Sequence, residues 1–280
     1  MSEPFSVAVG AIGIASAFTA CVDCFGYVQL GRHFGRDFQT DMLVLDSARL
    51  RLTRCGEAAR IYDDPKLGKP DATEGEVQTA NDILLQILVL FADTKKISKK
   101  YKLGPNNRED LSVLAPDDLD PAIAALSNKM KELAVKRQKG SSVLKLASWA
   151  LYRRSELKEL VASITTFIDS LETAFPAPQS QFALAREEIS QINDEKSLQL
   201  LAGAALSVDA GLRTAIKEVT GHQYSNVGVH GEAQLGDAFS SDWTRRAIGP
   251  SHGYRFVSVD KGGRALLGNM YGGTGFWDSR

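Results

Sequence analysis

With 280 residues, 44% of them hydrophobic, the chain can bury a proper core and has room for one large or two modest domains. A formal net charge of −1 gives no global attraction to nucleic acid or to a membrane surface. Three cysteines, Cys21, Cys24 and Cys55, and no basic region ahead of the first apolar stretch argue for a reduced, cytosolic setting and against a secretory signal.

The stretch from Phe5 to Val22 carries no charge. As a helix its 18 residues reach about 27 Å, against a hydrocarbon core of about 30 Å, so it could only just span a bilayer. Gly10, Gly13, Ser6, Ser16 and Thr19 dilute its apolar character. An N-terminal core helix fits these features; a constitutive span and a helix that packs in one state and inserts in another are the other readings. In the last case Phe5, Val7, Val9, Ile12, Ile14 and Phe18 would enter lipid.

Residues 38–62 place Leu45, Ala48, Leu52, Cys55, Ala59 and Tyr62 at steps of three and four, with Asp46, Arg49, Arg54 and Arg60 between them, which predicts an amphipathic helix ended by Pro65 and Gly68. A second helix runs from about Glu74 to Tyr101 through Val77, Ala80, Leu84, Ile87 and Phe91. A third begins near Pro121 and carries Ile123, Leu126, Met130 and Leu133 until Gly140 breaks it. Ser155 reads as the N-cap of a helix bearing Leu157, Leu160, Ile164, Phe167 and Leu171, stopped by Pro176 and Pro178. Helical pattern continues from about Phe182 to Ile216, and no period-two strand stands out before residue 220. The expectation is an all-helical bundle over residues 1–220.

At Gly221 the composition shifts, and residues 221–280 hold 12 of the 24 glycines. The tail also says nearly the same thing twice, over about 222–242 and 252–273. Val227 and Val229 recur as Val257 and Val259, 30 residues on; Glu232, Ala233, Leu235 and Asp237 recur as Arg264, Ala265, Leu267 and Asn269, 32 residues on. Stacked as rungs of a parallel sheet about 4.7 Å apart, the copies would make apolar ladders and one charge pair, Glu232 with Arg264. Gly236 and Gly268 would serve as corners, and Ser240–Ser251 as the connector. Two rungs leave both edges open, and open edges recruit further chains. An ordinary glycine-rich tail is the bland reading of the same residues.

The opening Met1-Ser2-Glu3-Pro4-Phe5, the runs Cys21 to Phe25, Tyr27 to Arg32 and Phe34 to Asp37, and the ending Leu267-Gly268-Asn269 with Tyr271, Phe276 and Trp277 closely resemble the fungal HET-s/HET-S heterokaryon incompatibility family. The resemblance covers essentially the whole chain. It implies a helical HeLo domain over 1–220 and, over 221–280, a prion-forming domain that is disordered as a monomer and a β-solenoid of two windings as amyloid. Its core would be the matched residues above, with Tyr271, Phe276 and Trp277 as a C-terminal aromatic loop. It further implies incompatibility by a latent pore-former whose N-terminal helix, with Asp23 and His33 near its hinge, is expelled toward the plasma membrane when the tail adopts the amyloid fold. The implied partners are a homodimer mate, amyloid copies, prion-form family members, a NOD-like receptor with a matching motif, and an anionic membrane, with no nucleic acid. A non-toxic prion adaptor with a dimerising helical scaffold is the alternative. Asp237 departs from the pattern: it replaces the asparagine that would ladder with Asn269, and a carboxylate tolerates stacking less well than an amide.

Other chemistry finds little support. Cys21-x-x-Cys24 lies in an apolar helix with only Cys55 elsewhere, short of a structural zinc set, so neither metal nor cofactor is expected. No nucleophile elbow or phosphate loop appears, and the chain is not read as an enzyme. Between Lys129 and Lys158 nine basic residues face only Glu132 and Glu156, either a solvated face or a site for anionic headgroups.

Overall fold

The computed structural model describes residues 13–31, 38–102, 112–113, 118–139, 148–192, 194–220, 226–239, 254 and 256–271. The chain falls into two compact units, Met1–Arg213 and Thr214–Arg280. Helices α1 (Ile14–Tyr27), α2 (Phe38–Ala58), α3 (Glu74–Lys102), α4 (Pro121–Lys136), α5 (Arg154–Ala174), α6 (Pro178–Gln191) and α7 (Glu195–Ala204) build the first unit. After a 3₁₀ turn at Ala205–Ser207, α8 (Ala210–Thr220) runs across the division between the units.

The central element is α2, which packs on α1, α4, α5, α6 and α7, while α3 packs on α1 and α5. Leu52, Leu84, Ile87, Phe91, Ile164 and Ile168 form the fully buried centre with Phe18 of α1. Three of the helices start at aspartate caps. Asp120 accepts the Ala122 amide at 2.8 Å before α4, Asp194 that of Ser197 at 2.8 Å before α7, and Asp209 that of Leu212 at 2.9 Å before α8.

Three expectations need correction, and one, the helical pattern over 182–216, is made more definite. The helix foreseen over 38–62 ends at Ala58, because Arg60 takes a left-handed φ of 54° and turns the chain before Pro65 is reached. Ser155 is not the cap of α5; Arg153 is, and Ser155 lies inside the first turn. The pattern over 182–216 is three helices, broken at the two aspartate caps, and Pro178 opens α6 at a position where its missing N–H costs nothing. Finally, two strands precede residue 220. Val28–Leu30 (β1) and Trp149–Leu151 (β2) pair in parallel, Val28 opposite Trp149, and Gly31 extends the ladder by donating to the Leu151 carbonyl at 2.7 Å.

Among its described residues the second unit holds six short strands: β3 (Gly228–Val229), β4 (Glu232–Gln234), β5 (Ala238–Phe239), β6 (Ser258–Val259), β7 (Arg264–Leu266) and β8 (Met270–Tyr271). All pair in parallel, β3 with β6, β4 with β7 and β5 with β8.

Candidate functional site

The N-terminal helix is the first element to weigh. In α1 every residue from Ala17 to Val22, with Cys24 and Phe25, is buried. The Phe18 ring meets Tyr62 edge-on at 5.7 Å and lies so close over α2 that a Cβ on Gly56 would stand 2.2 Å from it. Phe25 meets Phe91 edge-on at 5.0 Å, and the Cys21 thiol donates to the Leu84 carbonyl at 3.1 Å. Of the insertion residues foreseen, Ile14 and Phe18 therefore sit against or within the bundle core. Phe5, Val7, Val9 and Ile12 lie outside the described residues, as does His33. Among the described residues no helix is long and apolar enough to cross a membrane.

Asp23 is held by a residue that sequence reading missed. Gln138, just past α4, donates to Asp23 Oδ1 at 2.6 Å and to the Thr19 carbonyl at 3.4 Å, tying α1 to the end of α4. Thr19 in turn shares a hydrogen bond of 2.9 Å with the Tyr62 hydroxyl.

The residue before Gln138 belongs to a buried ion chain. Arg137 pairs with Glu188 of α6 and, at 2.6 Å, with Glu57 of α2. Glu188 accepts Arg54 of α2 at 2.6 Å through its other oxygen, and Arg54 also pairs with Asp209, the cap of α8. Arg54, Glu188 and Asp209 are each at most 2% exposed. Burial works against the Arg54 charge, but Asp209 and Glu188 outweigh it and hold its pKa above the usual range. One turn away Arg51 donates to the Val208 carbonyl at 2.7 Å and pairs with Glu172 of α5. Asp46, Arg49 and Arg54, the polar positions of the expected amphipathic helix, are therefore buried rather than solvated, because α2 is surrounded by five other helices. A buried charge there needs a partner inside, which Arg54 and Asp46 have. Asp46 accepts the Ser127 hydroxyl at 2.6 Å, and burial raises its pKa against the pull of Lys131.

The tail pairs its repeats with two offsets. Gly228 and Val229 oppose Ser258 and Val259, 30 residues on, whereas Glu232 and Ala233 oppose Arg264 and Ala265, 32 on. The same offset of 32 places Phe239 opposite Tyr271. Arg264 Nε reaches Glu232 at 3.1 Å, and the Asp237 carboxylate accepts the Asn269 backbone N–H at 2.7 Å. Val227 and Val257 directly precede β3 and β6. Asn226 and Phe256, just before those valines, share a left-handed φ of 53°. Gly268 lies against Gly236: a Cβ there would stand 1.9 Å from the Gly236 carbonyl oxygen. Ala265 and Leu267 are buried, whereas Leu235 is exposed. Each strand has one hydrogen-bonded neighbour among the described residues and so one open edge. Phe276 and Trp277 lie outside the described residues.

The cysteines are buried, and burial pushes the Cys24 and Cys55 thiols up to about 12, which leaves them protonated and unreactive. Among the described residues no group of three His, Cys, Asp or Glu is placed to hold a metal ion.

Comparison with known proteins gives one consistent set. The HeLo family model, described as prion-inhibition and propagation, matches residues 6–201. Heterokaryon incompatibility protein S of Podospora anserina is 38% identical over 302 residues, with all of both chains covered. Heterokaryon incompatibility protein s from the same organism is 39% identical over 298 residues, again across both full lengths. The solved HET-s N-terminal domain matches with a TM-score of 0.69 and 42% identity, over 74% of this chain and 96% of that one. A mutant form of that domain matches with a TM-score of 0.68.

Proposed function

The chain belongs to the HeLo family, and from that premise we propose that it is a heterokaryon incompatibility protein: a non-enzymatic cell-death switch whose prion-type tail controls a latent membrane-active helix. The observation that carries this reading is the ion chain. It connects Asp209, which caps the helix leading into the tail, through Arg54, Glu188 and Arg137 to the residue beside Gln138, which holds Asp23 of α1.

In the resting state α1 contributes its apolar face to the bundle core. When the tail stacks onto a template, its open strand edges gain partners, and the free energy of that stacking is the only source the switch needs. Ordering of the chain after α8 pulls on the helix capped by Asp209. Loss of the Asp209 pairing leaves Arg54 buried without its full set of acceptors, a costly state that favours opening of α2 against α6 and the end of α4. Gln138 then moves with Arg137, and α1 loses its tether. Phe5 to Val22 becomes free to enter an anionic bilayer, and the protein passes from the cytoplasm to the plasma membrane. Its partners on this reading are a second copy through the bundle, further copies and prion-form relatives through the tail, and a NOD-like receptor presenting a matching repeat.

A prion adaptor without toxicity is the second reading, favoured by the burial of α1, in which every residue from Ala17 to Val22 lies within the bundle. Dye release from anionic liposomes by the full-length protein, with and without preformed fibrils of residues 218–280, separates the two. Release that depends on fibrils supports the switch. Fibril growth followed by thioflavin fluorescence with no release makes the protein an adaptor.

A further inference from the structure

The sequence placed its basic surface at 129–158, but the structure neutralises most of it. Lys129, Lys131, Arg137, Lys139, Arg153 and Arg154 each stand in an ion pair, with Glu132, Asp46, Glu188, Asp63, Glu156 and Asp41. A cluster of lysines with little neutralisation among the described residues stands instead at the end of α3, where Lys95, Lys96, Lys99, Lys100 and Lys102 fall within about two turns. Lys96, Lys99, Lys100 and Lys102 are exposed, and Lys95 is half-buried. The ion pair of Lys96 with Asp93 at 3.3 Å is solvated on both sides and worth little, and among the described residues the other four lysines have no carboxylate partner.

Compensation of the negative end of the helix dipole accounts for lysines in the last turn. It does not account for Ile97, which is 51% exposed in their midst while its neighbour Ser98 is buried. Aliphatic side chains ringed by lysine ammonium groups match the boundary between headgroups and acyl chains, where the ammonium meets phosphate and the apolar group enters the interface. A nucleic acid backbone would satisfy the lysines but leave Ile97 in water. Ser98 donates to the Ala150 carbonyl of β2, and Tyr101 stacks on Tyr152 at 6.2 Å, so the cluster rides on a fixed part of the bundle.

We propose that the C-terminal turns of α3 are a docking surface for an anionic lipid bilayer, which the folded cytoplasmic bundle visits reversibly before release of α1 commits it there. The inference rests on the membrane reading above for its consequence, since docking would hold the bundle at the surface that α1 must enter. Its test does not depend on release.

The test is sedimentation of the full-length protein, without fibrils, with phosphatidylcholine vesicles that contain or lack phosphatidylserine. Binding to the anionic vesicles alone, weakened by salt, is expected. Changing Lys96, Lys99, Lys100 and Lys102 together to Gln should weaken it roughly a thousandfold, since each basic residue near such a surface contributes about 1 kcal/mol. Ile97→Ser should weaken it further at low salt. The matched control, Lys129→Gln with Lys136→Gln and Lys139→Gln, should bind as the parent does. All of these side chains are solvated, so an unchanged melting midpoint certifies the fold. Equal binding to both vesicle types, full binding by the α3 variant, or tighter binding to a DNA duplex than to vesicles at the same salt would each overturn the proposal. Docking without fibril-dependent dye release would refute the switch and leave this surface standing; release by a protein whose α3 variant docks normally would do the reverse.

Discussion

Glu156 shows how far a single side chain departs from its sequence pattern. It sits in the first turn of α5, where a carboxylate complements the helix dipole, yet it is 8% exposed and neither oxygen has a hydrogen-bond donor. Arg153 approaches only to 3.8 Å. Burial raises its pKa, against the weaker pull of Arg153. For an acid whose folded pKa is raised, the folded state holds the proton more tightly than the unfolded chain. Stability therefore falls as pH rises from the ordinary glutamate range through the raised folded value, and the loss is complete above it. Glu156→Gln keeps the shape and removes the titration. The variant should melt higher than the parent at neutral pH and at the same temperature below about pH 4, where both carry a neutral group. An equal difference at both pH values, measured by thermal denaturation, would assign the effect to packing instead.

At the scale of elements, legibility follows the range of the interactions. α3 and α4 are readable because three-four periodicity and a proline start are local signals. The β1–β2 ladder is not: each strand is three residues long and its partner lies 121 positions away, so no period-two pattern develops. The division of residues 182–216 was present in Asp194 and Asp209, but an aspartate inside an apolar rhythm reads as a surface residue until its capping bond is seen. The tail is the opposite case, since repetition writes a long-range pairing into the sequence and even its two offsets can be counted. What the letters do not show is how closely the corners approach. Gly268→Ala puts a Cβ about where the Gly236 carbonyl already stands, whereas Gly228→Ala meets nothing within 4 Å. Fibril growth of the Gly268 variant, seeded with parent fibrils, should be lost, and that of the Gly228 variant retained. Equal growth would show that assembled tails do not keep this register.

For the whole molecule the question is whether α1 can leave alone. Phe18, Val22 and Phe25 are nearly fully buried, and at about 1.5–3 kcal/mol each their exposure costs roughly 5–9 kcal/mol. That is comparable to the entire stability of an ordinary domain, so release of α1 amounts to dissolving the core rather than lifting a lid. On the proposed switch a signal from the tail must therefore weaken the bundle, and the ion chain is a place where one lost partner would do so, since it leaves a buried charge uncompensated. This chain was the least legible part of the site, because Arg54, Arg137, Glu188 and Asp209 come from four separate segments and each looks like a solvated charge on its own.

Asp209 does two things at once, capping α8 and balancing Arg54, and two substitutions separate them. Asp209→Asn keeps a good cap and removes the charge; Asp209→Ala removes both. The cap is worth about 1 kcal/mol, whereas an uncompensated buried charge costs about 3–5 kcal/mol. If the ion chain carries the signal, both variants should lose most of the hydrogen-exchange protection of Ala17–Phe25, by about a hundredfold or more, and should leak dye from anionic liposomes without any fibril. If α8 alone matters, only the alanine variant should do so. Protection retained over α1 in both variants, with the melting midpoint lowered, would show that the chain stabilises the bundle without reaching its N-terminal helix.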